Sequence, residues 1–146
     1  MSDYGFETKA LHEGWTPDEL THSTSVPIYL TNAYAFDSTE HARSLFALES
    51  AGNIYTRLSN PTTDVLEQRI AALEGGIGAL ATSTGHAAIY AVMLTLAACG
   101  DEIVSSSCIY GGAINLLSNT LGRSGIKTSF VHPADLAGFE AAITDK

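Results

Sequence analysis

The chain has 146 residues, 45% of them hydrophobic and 16% charged, with 16 acidic against 7 basic side chains and a formal net charge of −9. That suits one soluble globular domain or a large part of one, able to bury roughly 70% of the surface the unfolded chain exposes. The acid excess excludes sequence-independent binding to nucleic acid, which draws its strength from clustered Lys and Arg.

The opening "MSDYGFETKALHEG" has neither the basic start nor the apolar run of a signal peptide, and no apolar stretch reads as a membrane span. Cys99 and Cys108 are too few for a zinc site or a disulfide scaffold, and are expected as two buried, reduced thiols. The expected location is the cytoplasm. Residues 1–60 look irregular, apart from a short helical piece at 38–49 ("STEHARSLFALE"). Ser38 can cap that piece, and Leu45 with Phe46 gives it an apolar side. Before it lies the aromatic-rich, extended "SVPIYLTNAYAF" at 25–36.

From residue 61 the pattern is regular. Asn60 is a good N-cap, Pro61 suits the first helical position, Leu66, Ile70 and Leu73 mark one face, and Gly75 can end the helix. A strand from Ile77 to Thr82, a helix over 85–98 and a strand over 102–106 ("EIVSS") are expected next. A helix over 111–125, a strand over 127–131 ("KTSFV") and a final helix capped by Asp135 follow, with Leu136, Phe139 and Ile143 inward. Strands alternating with helices over short links predict a parallel sheet, with ligands at its carboxyl edge.

At the strand–helix junction "ATSTGHAAI", hydroxyl residues lead into a helix whose N–H groups at Gly85, His86 and Ala87 are expected to be free, a setting suited to an anion. The same string also reads as a simple capped turn. No Gly-Lys pair occurs, which excludes a Walker loop, and no GxGxxG follows a strand, which argues against nicotinamide binding. "IYTRLSNPT" offers Tyr55 and Arg57 at i and i+2, on one side of extended chain, as a phosphate clamp or as a solvated loop arginine. "CIYGG" places Tyr110 after a strand, where its ring can cover a flat heterocycle or join the core.

Together "GNIYTRLSNPTTDVLEQRIAALEGG", "STGHAAI" and "GDEIVSSSCIYGG" resemble the Cys/Met-metabolism family of pyridoxal-phosphate enzymes, and the resemblance runs over nearly the whole chain. It implies the three-layer α/β/α fold type I of aspartate aminotransferase, with a mostly parallel sheet that is incomplete in this chain. Residues 1–60 would form an arm on a partner subunit, and 61–146 the first part of the cofactor-binding domain.

The implied cofactor is pyridoxal 5'-phosphate. Backbone N–H groups of Gly85 and His86, helped by the Ser83 and Thr84 hydroxyls, would hold its phosphate. Tyr110 would stack on its ring and take a catalytic part. Tyr55 and Arg57 would reach the phosphate bound by a neighbouring subunit, giving a homo-oligomer, a dimer of dimers, with shared sites. His86 stands where the family commonly has Met or Gln, and Ala113 replaces the Thr of the usual "YGGT".

"HARSLFALESAGNIYTR" looks most like the O-acetylhomoserine sulfhydrylase branch, which makes homocysteine and acetate from O-acetylhomoserine and sulfide. Cystathionine γ-synthase and the methionine or cystathionine γ- or β-lyases share the same motifs. None of Lys9, Lys127 and Lys146 sits in the setting of the family's Schiff-base lysine. The chain therefore reads as the amino-terminal part of a longer enzyme, inactive alone, with a non-catalytic binder of full-length subunits as the alternative.

Overall fold

The computed structural model describes residues 4–146. These divide into two compact units, one up to Ala81 and one from Thr82 to Lys146.

The first unit contains α1 (Phe6–His12), α2 (Thr39–Phe46) and α3 (Pro61–Glu74). Helix α1 is a finding that composition did not announce, since this stretch was expected to be irregular. It packs on α3, and the Arg69 Nε–H donates to the Glu13 carbonyl at 2.8 Å. Ser38 caps α2 as expected, accepting from the His41 N–H at 3.0 Å. That helix ends in a left-handed turn at Leu48 (φ 57°), where the Leu48 and Glu49 N–H groups bond the Leu45 and Ser44 carbonyls. Leu45 is buried, but Phe46 is exposed.

Asn60 begins α3 and does more than cap it. Its Oδ1 accepts from the Thr62 N–H at 2.9 Å, while its Nδ2 donates to the Tyr29 carbonyl at 3.0 Å and the Thr56 hydroxyl at 3.1 Å. Thr62 extends the seam, with its hydroxyl donating to the Pro27 carbonyl and accepting from the Tyr29 N–H. An extended segment with no sheet of its own thereby finds partners for its polar backbone. Gly75 ends α3 in the left-handed conformation, at φ 69°. The buried face of α3, however, carries Val65 and Ala71, while Leu66 and Ile70 stay about half exposed. The helix is apolar on two sides, and α1 covers the one that spacing did not single out.

The expected strand from Ile77 to Thr82 does not form. That stretch has no ladder partner among the described residues, and Ile77 and Leu80 lie exposed. Extended backbone becomes a strand only when a neighbour takes its hydrogen bonds.

The second unit contains α4 (Gly85–Leu96), β1 (Glu102–Ser106), α5 (Gly111–Asn115), a π-helical turn (Leu116–Thr120), α6 (Leu121–Arg123), β2 (Lys127–Val131) and α7 (Leu136–Ala142). Both strands have the expected bounds. They pair in parallel, from Glu102 opposite Lys127 to Ser106 opposite Val131. The expected helix over 111–125 carries the π turn in its middle, where the Leu121 N–H bonds the Leu116 carbonyl. The wider turn stacks Leu121 over both Leu116 and Leu117. Leu117, Leu121 and Ile126 form the buried core, covered by Met93 of α4, Ala97 just past its end, Ile103 of β1 and Phe130 of β2.

Three further expectations fail. Helix α4 stops at Leu96, not 98, because Ala97 is already extended. Asp135 caps α7, accepting from the Gly138 N–H at 2.8 Å, but Leu136 and Ile143 point outward and only Phe139 is part-buried. Cys99 and Cys108 are both exposed, since each lies in a link beside β1, and links run over the surface. No helix among the described residues is long and apolar enough to cross a membrane.

Replacing Asn60 with Ala removes the cap and the bond to the Tyr29 carbonyl, a loss of about 1–2 kcal/mol. Denaturant unfolding should show that loss; a change under about 0.5 kcal/mol would mean that the seam does not hold the segment.

At the amino edge of the sheet, Glu102 accepts from the Lys127 ammonium at 3.0 Å and from the Thr144 hydroxyl at 3.0 Å. The Lys127 bond first, and then the Thr144 bond, hold its carboxyl below the usual glutamate range. A depressed carboxyl stabilises the fold above its unfolded pKa, about 4.3, and loses that contribution as pH falls through the folded value. Thermal midpoints measured from pH 6 to pH 3 should therefore fall further for the native chain than for Glu102→Gln. Parallel curves would refute the coupling.

Candidate active site

The carboxyl ends of β1 and β2 open toward the loop that carries Tyr110, the N-cap of α5. Across from it begins α4. Thr84 caps this helix by accepting from the Ala87 N–H at 3.0 Å, and the Thr82 hydroxyl donates to the Thr84 carbonyl at 2.9 Å. The cap satisfies one of the orphan donors of the first turn, and the Ala88 N–H reaches the Thr84 carbonyl at 3.1 Å. The N–H groups of Gly85 and His86 have no protein acceptor among the described residues, and both residues are exposed. A side chain on Gly85 would meet nothing within 4 Å, so open space lies against this backbone. The Ser83 hydroxyl is likewise exposed and bonds no protein group among the described residues. The junction has the free donors and the room that an oxyanion needs.

His86 and Tyr110 meet edge to face, with ring centroids 5.6 Å apart and planes at 82°. Tyr110 keeps 73% of its surface open. Both rings lie against the bare α-carbon of Gly112. A Cβ there would fall 2.6 Å from Tyr110 Cε1 and 2.7 Å from His86 Cε1. The role of Gly112 escaped the sequence reading, and its only signal was the glycine doublet after the tyrosine. Ala113 is buried, so the position that departs from the usual "YGGT" faces the interior.

Tyr55 and Arg57 belong to the first unit. They do not lie in extended chain as expected: Tyr55 bridges Ala33 in antiparallel fashion, and residues 55–58 then turn, with the Leu58 N–H bonding the Tyr55 carbonyl at 2.8 Å. The turn still brings the two side chains together, placing the guanidinium carbon 5.7 Å from the centre of the Tyr55 ring. Arg57 makes no ion pair among the described residues and is exposed. Both line a cleft of about 400 Å³ with Tyr34, Phe36 and Phe46. The Tyr34 hydroxyl is buried with no hydrogen-bond partner among the described residues.

Comparison with known proteins decides the family. The family model for Cys/Met metabolism PLP-dependent enzymes matches residues 7–146. The chain belongs to this family. Members use pyridoxal phosphate, and the solved structures that resemble the chain are fold type I enzymes. A sulfhydrylase of Fusarium oxysporum f. sp. lycopersici is 55% identical over 141 residues, which cover 97% of this chain and 33% of that protein. An O-acetyl-L-homoserine sulfhydrylase of Leptospira meyeri is 53% identical over 96% of this chain and 32% of its own length.

A Campylobacter jejuni protein described as an O-acetylhomoserine (thiol)-lyase has a crystal structure that superimposes with a TM-score of 0.93 at 42% identity. The match covers 97% of this chain and 35% of that one. That structure carries N'-pyridoxyl-lysine-5'-monophosphate. The chain thus spans about a third of the length of the curated relatives it matches. As a family member it presents, in its second unit, free helix-end donors and an exposed tyrosine at the carboxyl edge of a parallel strand pair.

Proposed function

We propose that these residues form the cofactor-cradling portion of a pyridoxal-phosphate O-acetylhomoserine sulfhydrylase, acting in the cytoplasm in sulfur amino-acid metabolism. The carrying observation is identity above 50% to sulfhydrylases along almost all of this chain. The reaction breaks the Cγ–oxygen bond of O-acetylhomoserine, releases acetate and forms a Cγ–sulfur bond from sulfide.

When bound, pyridoxal phosphate supplies an electron sink for negative charge beside the substrate's α-carbon. The free N–H groups of Gly85 and His86 hold the phosphate, with the Ser83 and Thr84 hydroxyls beside them. The Thr84 oxygen accepts from Ala87, yet its own hydrogen remains to donate. Tyr110, with its ring exposed, covers the heterocycle and places its phenolic oxygen to pass a proton at the substrate's amino or leaving group.

A helix end contributes only about 0.3–2 kcal/mol toward an anion, whereas micromolar affinity needs about 8 kcal/mol. Further groups are needed, and the unpaired Arg57 with Tyr55 suits a phosphate held by a neighbouring subunit. Residues 1–60 then serve as an arm on that neighbour in a homo-oligomer, a dimer of dimers.

These residues alone do not complete the reaction. Lys127 is bound to Glu102 at the amino edge of the sheet, and Lys146 acts on the same carboxylate. Both therefore sit at the edge away from Tyr110, Lys9 belongs to helix α1 of the first unit, and this reading takes the covalent lysine from elsewhere in the full-length enzyme.

Gly85→Ala separates the cradle from the fold. With open space at that carbon, the variant of the full-length protein should be as stable as the native one, or up to about 1 kcal/mol more so. Its dissociation constant for pyridoxal phosphate should rise roughly tenfold, the loss of about 1.4 kcal/mol of anion contact. Unchanged affinity would remove Gly85 from the phosphate site.

The reaction itself is tested by paired kcat/KM values for the full-length enzyme at one pH, because that ratio reports transition-state discrimination. O-acetylhomoserine with sulfide should exceed O-acetylhomoserine with cysteine, and should far exceed release of ammonia from methionine or cystathionine. A lyase ratio equal to the sulfhydrylase ratio or above it would transfer the protein to the lyases.

A further inference from the structure

The exposed Tyr110 ring poses a mechanical problem. A ring that must lie flat on a heterocycle needs one orientation, yet with 73% of its surface open Tyr110 has few neighbours to impose one. As N-cap of α5 it makes no side-chain cap bond that would tether it. Among its neighbours are the His86 ring and Gly112.

His86 lies in the first turn of α4, and that helix is anchored in the core through Met93 and, just past its end, Ala97. Its backbone is therefore a fixed point from which the imidazole reaches the edge of Tyr110, at 82° between planes. Edge-to-face packing sets the positive edge of one ring against the negative face of the other, which favours one mutual orientation over free rotation. Gly112 sets the depth of the contact. A Cβ on it would stand 2.6 Å from Tyr110 Cε1, 2.7 Å from His86 Cε1 and 2.8 Å from His86 Nε2, so any side chain would drive the two rings off their common floor.

We propose that the His86 imidazole is a positioning residue. Seated with Tyr110 over the bare α-carbon of Gly112, it fixes the Tyr110 ring in the orientation that covers the cofactor. This rests on the reading of Tyr110 as the ring that faces pyridoxal phosphate. It gives the His86 side chain a task separate from its backbone N–H, which no substitution at 86 other than proline removes. It also predicts what can replace histidine: a flat ring of similar reach, rather than any group that merely fills volume.

The test uses the full-length protein with 3-fluorotyrosine incorporated, the Tyr110 signal being assigned through Tyr110→Phe. Fluorine NMR of the cofactor-free protein reads the order of the ring, and titration with pyridoxal 5'-phosphate reads affinity. Visible circular dichroism of the bound cofactor reads its fixed asymmetry. In His86→Ala the Tyr110 resonance should shift and change width, cofactor affinity should fall several-fold, and the dichroic band should weaken. His86→Phe should restore all three, and Gly112→Ala should reproduce the loss. Should His86→Ala not fold, His86→Leu replaces it, keeping bulk without the ring.

An unchanged Tyr110 resonance in the ring-less variant overturns the proposal while leaving the role of Tyr110 intact. Native affinity in Tyr110→Ala overturns the reading beneath it, and the proposal with it. Restoration by His86→Leu as full as that by His86→Phe would make the contact simple filling and also overturn it.

Discussion

Parallel pairing of β1 with β2 is the constraint from which the second unit follows. Two parallel strands cannot be joined by a tight turn, so the chain must travel the length of the sheet between them. The α5, π-turn and α6 stretch makes that return. Its inward leucines, 117 and 121, with Ile126 at the start of β2, form the small core that holds the pair together. Because both strands run the same way, their carboxyl ends open on one edge, and the loop bearing Tyr110 leaves from that edge. The position of the site is a consequence of strand direction.

The same arrangement sorts the charged groups. Lys127 and Glu102 begin their strands and pair at the amino edge, where they hold the register of the ladder. The opposite edge carries hydroxyls, glycines and rings, together with unfilled backbone donors at the start of α4. The ion pair and the proposed phosphate cradle thus lie at opposite ends of one short sheet. A salt bridge placed near the donors would compete with a phosphate for them.

In the first unit a buried amide takes the place of a sheet. Asn60 satisfies α3 with its oxygen and the extended segment with its nitrogen, and Thr62 adds two more bonds. The turn carrying Tyr55 and Arg57 hangs from this seam through Thr56, whose hydroxyl also donates to the Thr31 carbonyl. Much of the surface beyond it is apolar and open, with Ile28, Leu30 and Leu48 fully or nearly exposed. The arm proposed for residues 1–60 would finish its burial on another subunit through this surface.

Local signals were legible wherever a residue acts on its own backbone. The caps at Ser38, Asn60, Thr84 and Asp135 and the stop at Gly75 follow from short-range chemistry that a sequence contains in full. The motif around "STGHAAI" likewise pointed to free donors at Gly85, His86 and Ala87, of which the Thr84 cap takes the last, because any helix start leaves its first N–H groups without intrahelical partners. What the sequence could not contain was which surface meets which. It offered α3 two apolar faces and left the choice to α1. It offered a strand at 77–82 that no neighbour completes, and inward positions for Leu136 and Ile143 that nothing covers. The meeting of His86, Tyr110 and Gly112 joins residues up to 26 positions apart through the packing of two helices. Contacts of that kind depend on distances that only the folded chain sets, so tertiary structure alone decided them.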